Sequence, residues 1–140
     1  MNITIKTNSR PMPLKRHRTS LHNRRMYDPS KADKKAWIES VRDLWPDTPL
    51  TCPVKLKMKF TFKRPKCHFR TGKYSGEVKS SAPTLHCKKP DLDNLVKFYM
   101  DALTNIFYRD DSLVHELRAR KLYGLHNQVE IVLETAGSQG

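Results

Sequence analysis

Long hydrophobic runs are missing from this 140-residue chain. Its opening, Met1-Asn2-Ile3-Thr4-Ile5-Lys6, is too short and too polar for a secretory signal or a membrane span. The expectation is a cytoplasmic protein with no membrane partner. Cysteine is scarce and odd in number: Cys52, Cys67 and Cys87 cannot all pair within one chain, which excludes a disulfide framework and suits reduced thiols. Acids are few, 14 Asp+Glu against 27 Lys+Arg, for a formal net charge of +13 and a pI near 9.9. Such a balance attracts a polyanion, and nucleic acid is the default partner. With 37% hydrophobic residues the core is lean, and the length suits one domain.

The charge is uneven. Residues 1–90 carry 22 Lys/Arg and 6 Asp/Glu, whereas residues 91–140 carry 5 and 8. Ile3 and Ile5 alternate with polar neighbours, predicting a strand over residues 2–6. Residues 10–18, with Pro11 and Pro13 among Arg10, Lys15, Arg16 and Arg18, predict an irregular basic loop suited to phosphate contact. Ser30 is placed to cap a helix over residues 31–44 with Trp37, Val41 and Leu44 inward. Residues 52–64 predict a strand in which Val54, Leu56, Met58, Phe60 and Phe62 alternate with Lys55, Lys57, Lys59, Thr61 and Lys63. Its lysines suit either DNA contact or the solvation of a sheet edge. Residues 65–89 read as a long hairpin tip or a loop that orders on DNA.

From Asp91 the period changes to 3.6, with Leu92, Val96, Tyr99, Leu103 and Ile106 on one stripe and Asp93, Lys97, Asp101 and Thr104 opposite. Asp101 is expected to face Lys97. Residues 113–123 and 125–134 read as strands joined at Gly124, and residues 135–140 as a flexible tail beyond a domain spanning residues 1–134. There are no repeats and no linker.

Acids concentrated in a basic chain repel one another and repel phosphate unless a divalent cation lies between them. Asp91 and Asp93 flank a predicted helix start, and Asp110 and Asp111 follow the same helix. Should the next strand pack back beside the helix N-terminus, these carboxylates converge. Hard oxygen donors of this kind suit Mg²⁺, with Mn²⁺ as a substitute, and a metal-activated water for phosphodiester hydrolysis. Lys97, one turn beyond Asp93, is placed to orient the water or stabilise transition-state charge. Taken singly, Asp91 could be a helix cap and Asp110-Asp111 a turn; neither role requires two acid pairs around one helix.

Lys89-Pro90-Asp91-Leu92-Asp93-Asn94-Leu95, Lys97, Asp101-Ala102-Leu103 and Asp110-Asp111-Ser112 resemble, in order and spacing, the signature of the RusA-type Holliday junction resolvases, small endonucleases frequent in phages and prophages. The opening strand and Pro-rich basic loop resemble that family's start, whereas residues 26–49 and 65–87 match least. The resemblance implies a homodimeric α/β (α+β) domain, a small mixed sheet packed with helices. It implies Mg²⁺-dependent sites that nick opposed strands of a four-way DNA junction in recombination and repair. By motif position Asp91, Asp93, Asp111 and Lys97 are the catalytic residues, and the three aspartates are metal ligands with Asp110 a further candidate. The basic residues Lys15, Arg16, Arg18, Lys88 and Lys89 are expected to contact DNA. A phage-encoded protein would act in the host cytoplasm.

Two other functions compete, a non-catalytic basic nucleic-acid-binding protein and a less specific metal-dependent nuclease. A zinc site from Cys67-His68 and His86-Cys87 is disfavoured, because adjacent Cys-His pairs lack the usual ligand separation. His17, His22, His115 and His126 read as surface or sheet residues, since a metal-bound water needs no histidine base.

Overall fold

The computed structural model describes residues 1–15, 18–19 and 26–135. In chain order these form β1 (Asn2–Thr7), β2 (Arg18–Thr19), β3 (Met26–Tyr27), α1 (Lys31–Ser40), β4 (Val54–Lys63), α2 (Leu92–Leu103), β5 (Val114–Gly124) and β6 (Gln128–Thr135). A four-stranded mixed sheet has the order β1-β6-β4-β5, and β2 pairs with β3 in a separate two-stranded ribbon. β6 runs antiparallel to both β1 and β4, whereas β4 and β5 are parallel. The fold is thus α+β, with α1 and α2 on one face of the sheet.

Strict alternation in β4 has the predicted effect. Val54, Leu56, Met58, Phe60 and Phe62 are buried, and with Ile5, Val129, Ile131 and Leu133 they make the sheet side of the core. Trp37, Ile38, Val41, Leu95, Phe98, Tyr99, Ala102 and Leu103 complete it from the helices and their ends. Tyr99 sits at the centre: its ring meets Trp37, Phe60 and Phe98 at centroid distances of 4.8, 5.4 and 4.8 Å. Its hydroxyl accepts a 2.9 Å hydrogen bond from the Met12 backbone N–H. Burial pushes the phenol up to about 12. The Pro-rich loop is therefore anchored, with Leu14 N–H also donating to the Asn94 carbonyl at 3.0 Å.

Several expectations change. α1 stops at Ser40 and a 3₁₀ turn, Arg42–Leu44, follows; Ile38 is buried while Leu44 is 41% exposed. Ser30 precedes α1 without a side-chain cap, because its hydroxyl accepts from Lys15 N–H at 2.8 Å. α2 ends at Leu103, so Ile106 lies beyond it, and the inward stripe is Leu95, Phe98, Tyr99, Ala102 and Leu103. Half-buried Leu92 and Val96 flank it. Asp101 pairs with Lys34 of α1 at 3.6 Å and not with Lys97. Thr135 ends β6, and residues 136–140, the rest of the expected tail, lie outside the described residues.

The β5–β6 connection passes over the end of β4, since these successive strands flank it. Arg64 N–H donates to the Gly124 carbonyl at 2.9 Å, and Lys63 N–H to Asn127 Oδ1 at 2.8 Å. A Cβ added at Gly124 would lie 2.6 Å from Thr61 Cγ2. Glycine is thus required by close approach, and Thr61, stiff at χ1, cannot swing its methyl aside cheaply. Gly124→Ala is expected to cost about 1–3 kcal/mol in urea unfolding. Adding Thr61→Ser, which deletes that methyl, should recover part of the loss; equal stability of the wild type and the single variant would show that the crossing has slack.

Candidate active site and nucleic-acid surface

α2 begins where residues 64–91 return the chain from the end of β4. Asp91 holds the N-cap position with φ −69° and ψ 144°, and its carbonyl accepts from Leu95 N–H at 3.2 Å, but its carboxylate makes no capping hydrogen bond. Asp91 and Asp93 are both exposed. The cap alternative required a carboxylate bonded to the first-turn N–H groups, so the side chain is left for another partner. Lys97 lies four residues beyond Asp93 on the same helical face, also exposed, and forms no ion pair among the described residues.

Lys121 of β5 secures this helix entry. Its Nζ donates to the carbonyls of Lys88 and Pro90, each at 2.7 Å, across the cis peptide between Lys89 and Pro90. Lys88 and Lys89 are exposed immediately before Asp91, so two expected DNA contacts adjoin two expected ligands. Among 27 Lys and Arg residues, nothing in the sequence marks Lys121 for that anchoring role.

Asp110 and Asp111 belong to the opposite end of α2. Tyr108 donates its hydroxyl to the Met100 carbonyl at 2.7 Å, and Arg109 N–H donates to the Leu50 carbonyl at 2.9 Å, which fixes this segment near the start of β4. Burial raises the Tyr108 pKa, with the charges of Asp111, Asp101 and Asp110 adding to the rise. The Ser112 hydroxyl donates to Asp110, and this bond, followed by backbone N–H groups, lowers the Asp110 pKa. Ten residues of helix, 94–103, lie between Asp93 and the second acid pair's segment, a length of about 15 Å at the usual rise. Among the described residues no three potential ligands gather at one point. The expected convergence within one chain does not occur, because β5 runs back beside α2 only after Asp111 has been left at its start.

The lysine ladder also differs. β4 is a central strand, so its lysines blunt no edge. Lys55 pairs with Glu116 at 2.8 Å, Lys57 with Glu134 at 3.1 Å and Lys59 with Glu130 at 3.7 Å. The first of these pairs lowers the Glu116 pKa. Arg118 and Arg120 of β5 are exposed on this face and have no ion pair among the described residues. With Lys57, Lys59, Glu130 and Val132 they line a cavity of about 670 Å³ that none of the aspartates lines. Of the expected loop contacts, Lys15 is exposed and 3.8 Å from Asp33. Arg16 and the Arg18 side chain lie outside the described residues.

Residues 65–89 are folded. Short 3₁₀ turns, Lys66–His68 and Gly72–Tyr74, and the Phe69–Val78 bridge shape a small hairpin. His86 stacks on Phe62 at 4.0 Å, and His68 meets the Tyr123 ring edge-on at 4.6 Å. Cys67 and Cys87 are exposed, and no zinc ligand set forms among the described residues. The surrounding Arg64, Lys79, Lys88, Lys121 and Arg10 also oppose a cation. Burial, then Arg64, lowers the His68 pKa; burial, then Lys121, lowers that of His86.

The chemistry so far is an uncapped carboxylate pair and a free lysine at a helix start, ringed by cations, in a small mixed-sheet domain. Such a set suits chemistry on a nucleic-acid backbone. The chain belongs to the RusA endodeoxyribonuclease family: the family model, Endodeoxyribonuclease RusA, matches residues 8–134, and the activity class is the Holliday junction resolving endodeoxyribonuclease. A Bacillus subtilis (strain 168) protein described as Uncharacterized protein YqaN is 33% identical over 129 residues, covering 88% of this chain and 89% of its own. Among the described residues no helix is long and apolar enough to cross a membrane.

The histidine pair yields a pH dependence. Both imidazoles have folded-state pKa values below the ordinary 6.5, so on acidification the unfolded chain binds protons first. Stability is therefore full above 6.5 and declines as pH falls from 6.5 toward the lowered folded-state values. His86→Phe, which keeps a ring on Phe62, should flatten that decline in urea titrations; an unchanged slope would assign the dependence to other groups.

Proposed function

We propose that this protein is a homodimeric, Mg²⁺-dependent resolvase that cuts four-way DNA junctions by paired symmetric nicks, with Asp91, Asp93 and Asp111 as ligands, Asp110 as a further candidate and Lys97 as the catalytic cation. The observation that carries the metal assignment is Asp91: a carboxylate at a helix N-cap that leaves the cap unbonded, beside an exposed Asp93, in a strongly basic chain. The donors fit a hard divalent ion. One chain presents them as two pairs separated by α2, so two copies complete each site, Asp91 and Asp93 from one and Asp110 and Asp111 from the other.

Bound there, Mg²⁺ supplies an activated water and neutralises charge on the phosphate and the departing 3′-oxygen. The protein's own residues do the rest. Lys88, Lys89 and Lys15, with Arg16 and Arg18, hold the backbone by charge and hydrogen bonding. Lys97 donates to a non-bridging phosphate oxygen as negative charge accumulates. A two-fold dimer offers two such sites to a substrate that is itself two-fold symmetric, and equivalent cuts leave nicks that ligase seals.

Purified protein with Mg²⁺ should cut a four-way junction into ligatable nicked duplexes and leave matched linear duplex intact; equal cutting of both would reduce the function to a general nuclease. Asp91→Asn and Asp111→Asn should each abolish cutting while junction binding is kept or tightened, since a repulsive carboxylate is removed. Mixed together, the two inert variants should regain single-strand nicking, because a mixed dimer contains one site with every carboxylate intact. A mixture as inert as its components would require the ligands to come from one chain. Lys97→Ala should slow cutting by about 10²-fold or more with little change in affinity.

A further inference from the structure

Residues 70–81 are all exposed, yet they are folded. Phe69 and Val78 form an antiparallel bridge flanked by two backbone hydrogen bonds, Arg70 N–H to the Glu77 carbonyl and Lys79 N–H to the His68 carbonyl, each at 2.8 Å. Beyond the bridge, Ser75 N–H donates to the Gly72 carbonyl at 3.1 Å and Glu77 N–H to that of Tyr74 at 2.9 Å, which closes the tip. Arg70 ties the two limbs together. Its guanidinium pairs with Glu77 at 2.8 Å and lies over the Tyr74 ring at 4.1 Å, with the Lys73 ammonium 5.2 Å from the same ring. The base of the hairpin is held by the domain: the buried His68 ring meets Tyr123 edge-on at 4.6 Å, and Arg64 donates to the Pro83 carbonyl at 2.7 Å.

Ordering a segment costs backbone entropy, and residues 70–81 offset none of it by burial against the domain. A ribbon shaped in this way presents its side chains to something outside. Those side chains are Lys66, Arg70, Lys73 and Lys79 against Glu77 alone, with the Tyr74 ring at the tip. Lys66, Lys73 and Lys79 form no ion pair among the described residues.

We propose that this hairpin enters a groove of a DNA duplex arm beside the cut, with Lys73 and Lys79 on phosphates and the stacked Arg70 and Tyr74 against the groove wall. This rests on the nuclease function proposed above and adds a contact that neither the Pro-rich loop nor Lys88 and Lys89 provide. Charge complementarity selects a polyanion. Shape selects a duplex over a single strand. A single-strand binder offers a channel with open aromatic faces, whereas Tyr74 stands on a protruding tip with Arg70 and Lys73 against its ring. Two paired strands lie about 4.8 Å apart and, with their side chains, suit a major groove about 12 Å wide.

The hairpin also stands at the right end of the domain. His68 packs on Tyr123, whose N–H donates to the Thr84 carbonyl at 2.9 Å, and two residues earlier Lys121 holds the carbonyls of Lys88 and Pro90. The hairpin base and the entry to α2 thus hang on one short stretch of β5. An arm gripped by the hairpin therefore lies beside Asp91 and Asp93.

Junction binding by the full chain, measured over a range of salt in buffer free of divalent metal, tests the contact. Lys73→Ala and Lys79→Ala should each weaken binding several-fold and reduce the salt slope by about one. Tyr74→Ala should weaken binding as well, whereas Lys35→Ala, on exposed α1 surface, should change little. All four should unfold at the wild-type urea midpoint, since the altered side chains are exposed. A second measurement maps position. Tyr74→Cys, in a chain whose Cys52, Cys67 and Cys87 are serine, should carry an iron–EDTA tether that cleaves the bound junction at a few neighbouring nucleotides within about ten base pairs of the branch point. Wild-type affinity and salt slope in both lysine variants, losses no larger than that of Lys35→Ala, an effect confined to single strands, or tether cleavage spread evenly over the DNA would each overturn the proposal. Hairpin variants that bind like the wild type, while the wild type nicks junctions with Mg²⁺, would remove the contact and leave the nuclease function. The expected binding pattern without any cutting would remove that function and keep the contact.

Discussion

Parallel pairing of β4 with β5 governs the placement of everything else. Two parallel neighbours cannot be joined by a turn, so the chain must leave the top of β4, cross the sheet and re-enter at the bottom of β5. Residues 64–113 make that passage, and α2 is its return limb. The helix is pinned by Tyr99, whose ring meets Trp37, Phe60 and Phe98 and whose hydroxyl holds the Pro-rich loop. Once α2 runs that way, residues preceding it lie at one end of the sheet and residues following it at the other. A motif continuous in sequence is thereby stretched across the domain.

Electrostatics follow the same topology. The acid-richer final 50 residues contribute Glu116, Glu130 and Glu134, which strand pairing sets against the lysines of β4, while Asp101 is taken by Lys34. These surface pairs add little stability individually, but they quench a row of cations on the sheet. Asp91 and Asp93 stand outside this neutralisation, and Asp110 has a serine as its hydrogen-bond donor. Lys88 and Lys89, both exposed, stand immediately before Asp91 and Asp93 at the start of α2. In this member of a family that acts on four-way DNA junctions, exposed cations and carboxylates unpaired among the described residues thus adjoin at the helix entry.

Strand β4 was legible because period-2 alternation depends only on local geometry, and its five apolar residues are buried as expected. α2 was legible in type, yet its inward stripe was misplaced by one position. Phe98 and Ala102 meet the core, whereas Leu92 and Val96 lie at its margin, a rotation decided by where Trp37 and Phe60 stand. Gly124 was marked as a connection; its actual constraint, the methyl of Thr61 beneath it, exists only because β5 and β6 straddle β4. The histidines beside Cys67 and Cys87 invited a metal reading, but packing against Phe62 and Tyr123 among cations gives them neutral, buried rings.

The amino-acid sequence by itself determined the chemistry: which carboxylates and which lysine occur together, their helical spacing, the basic surroundings and the family those features mark. Such properties survive in a linear chain because they depend on residue type and local periodicity. Only the tertiary structure decided which groups share a location. Strand order is set by burial summed over the whole core, and it placed β4 at the centre, gave its lysines glutamate partners, hung the helix entry on Lys121 and left Asp91 and Asp111 at opposite ends of α2.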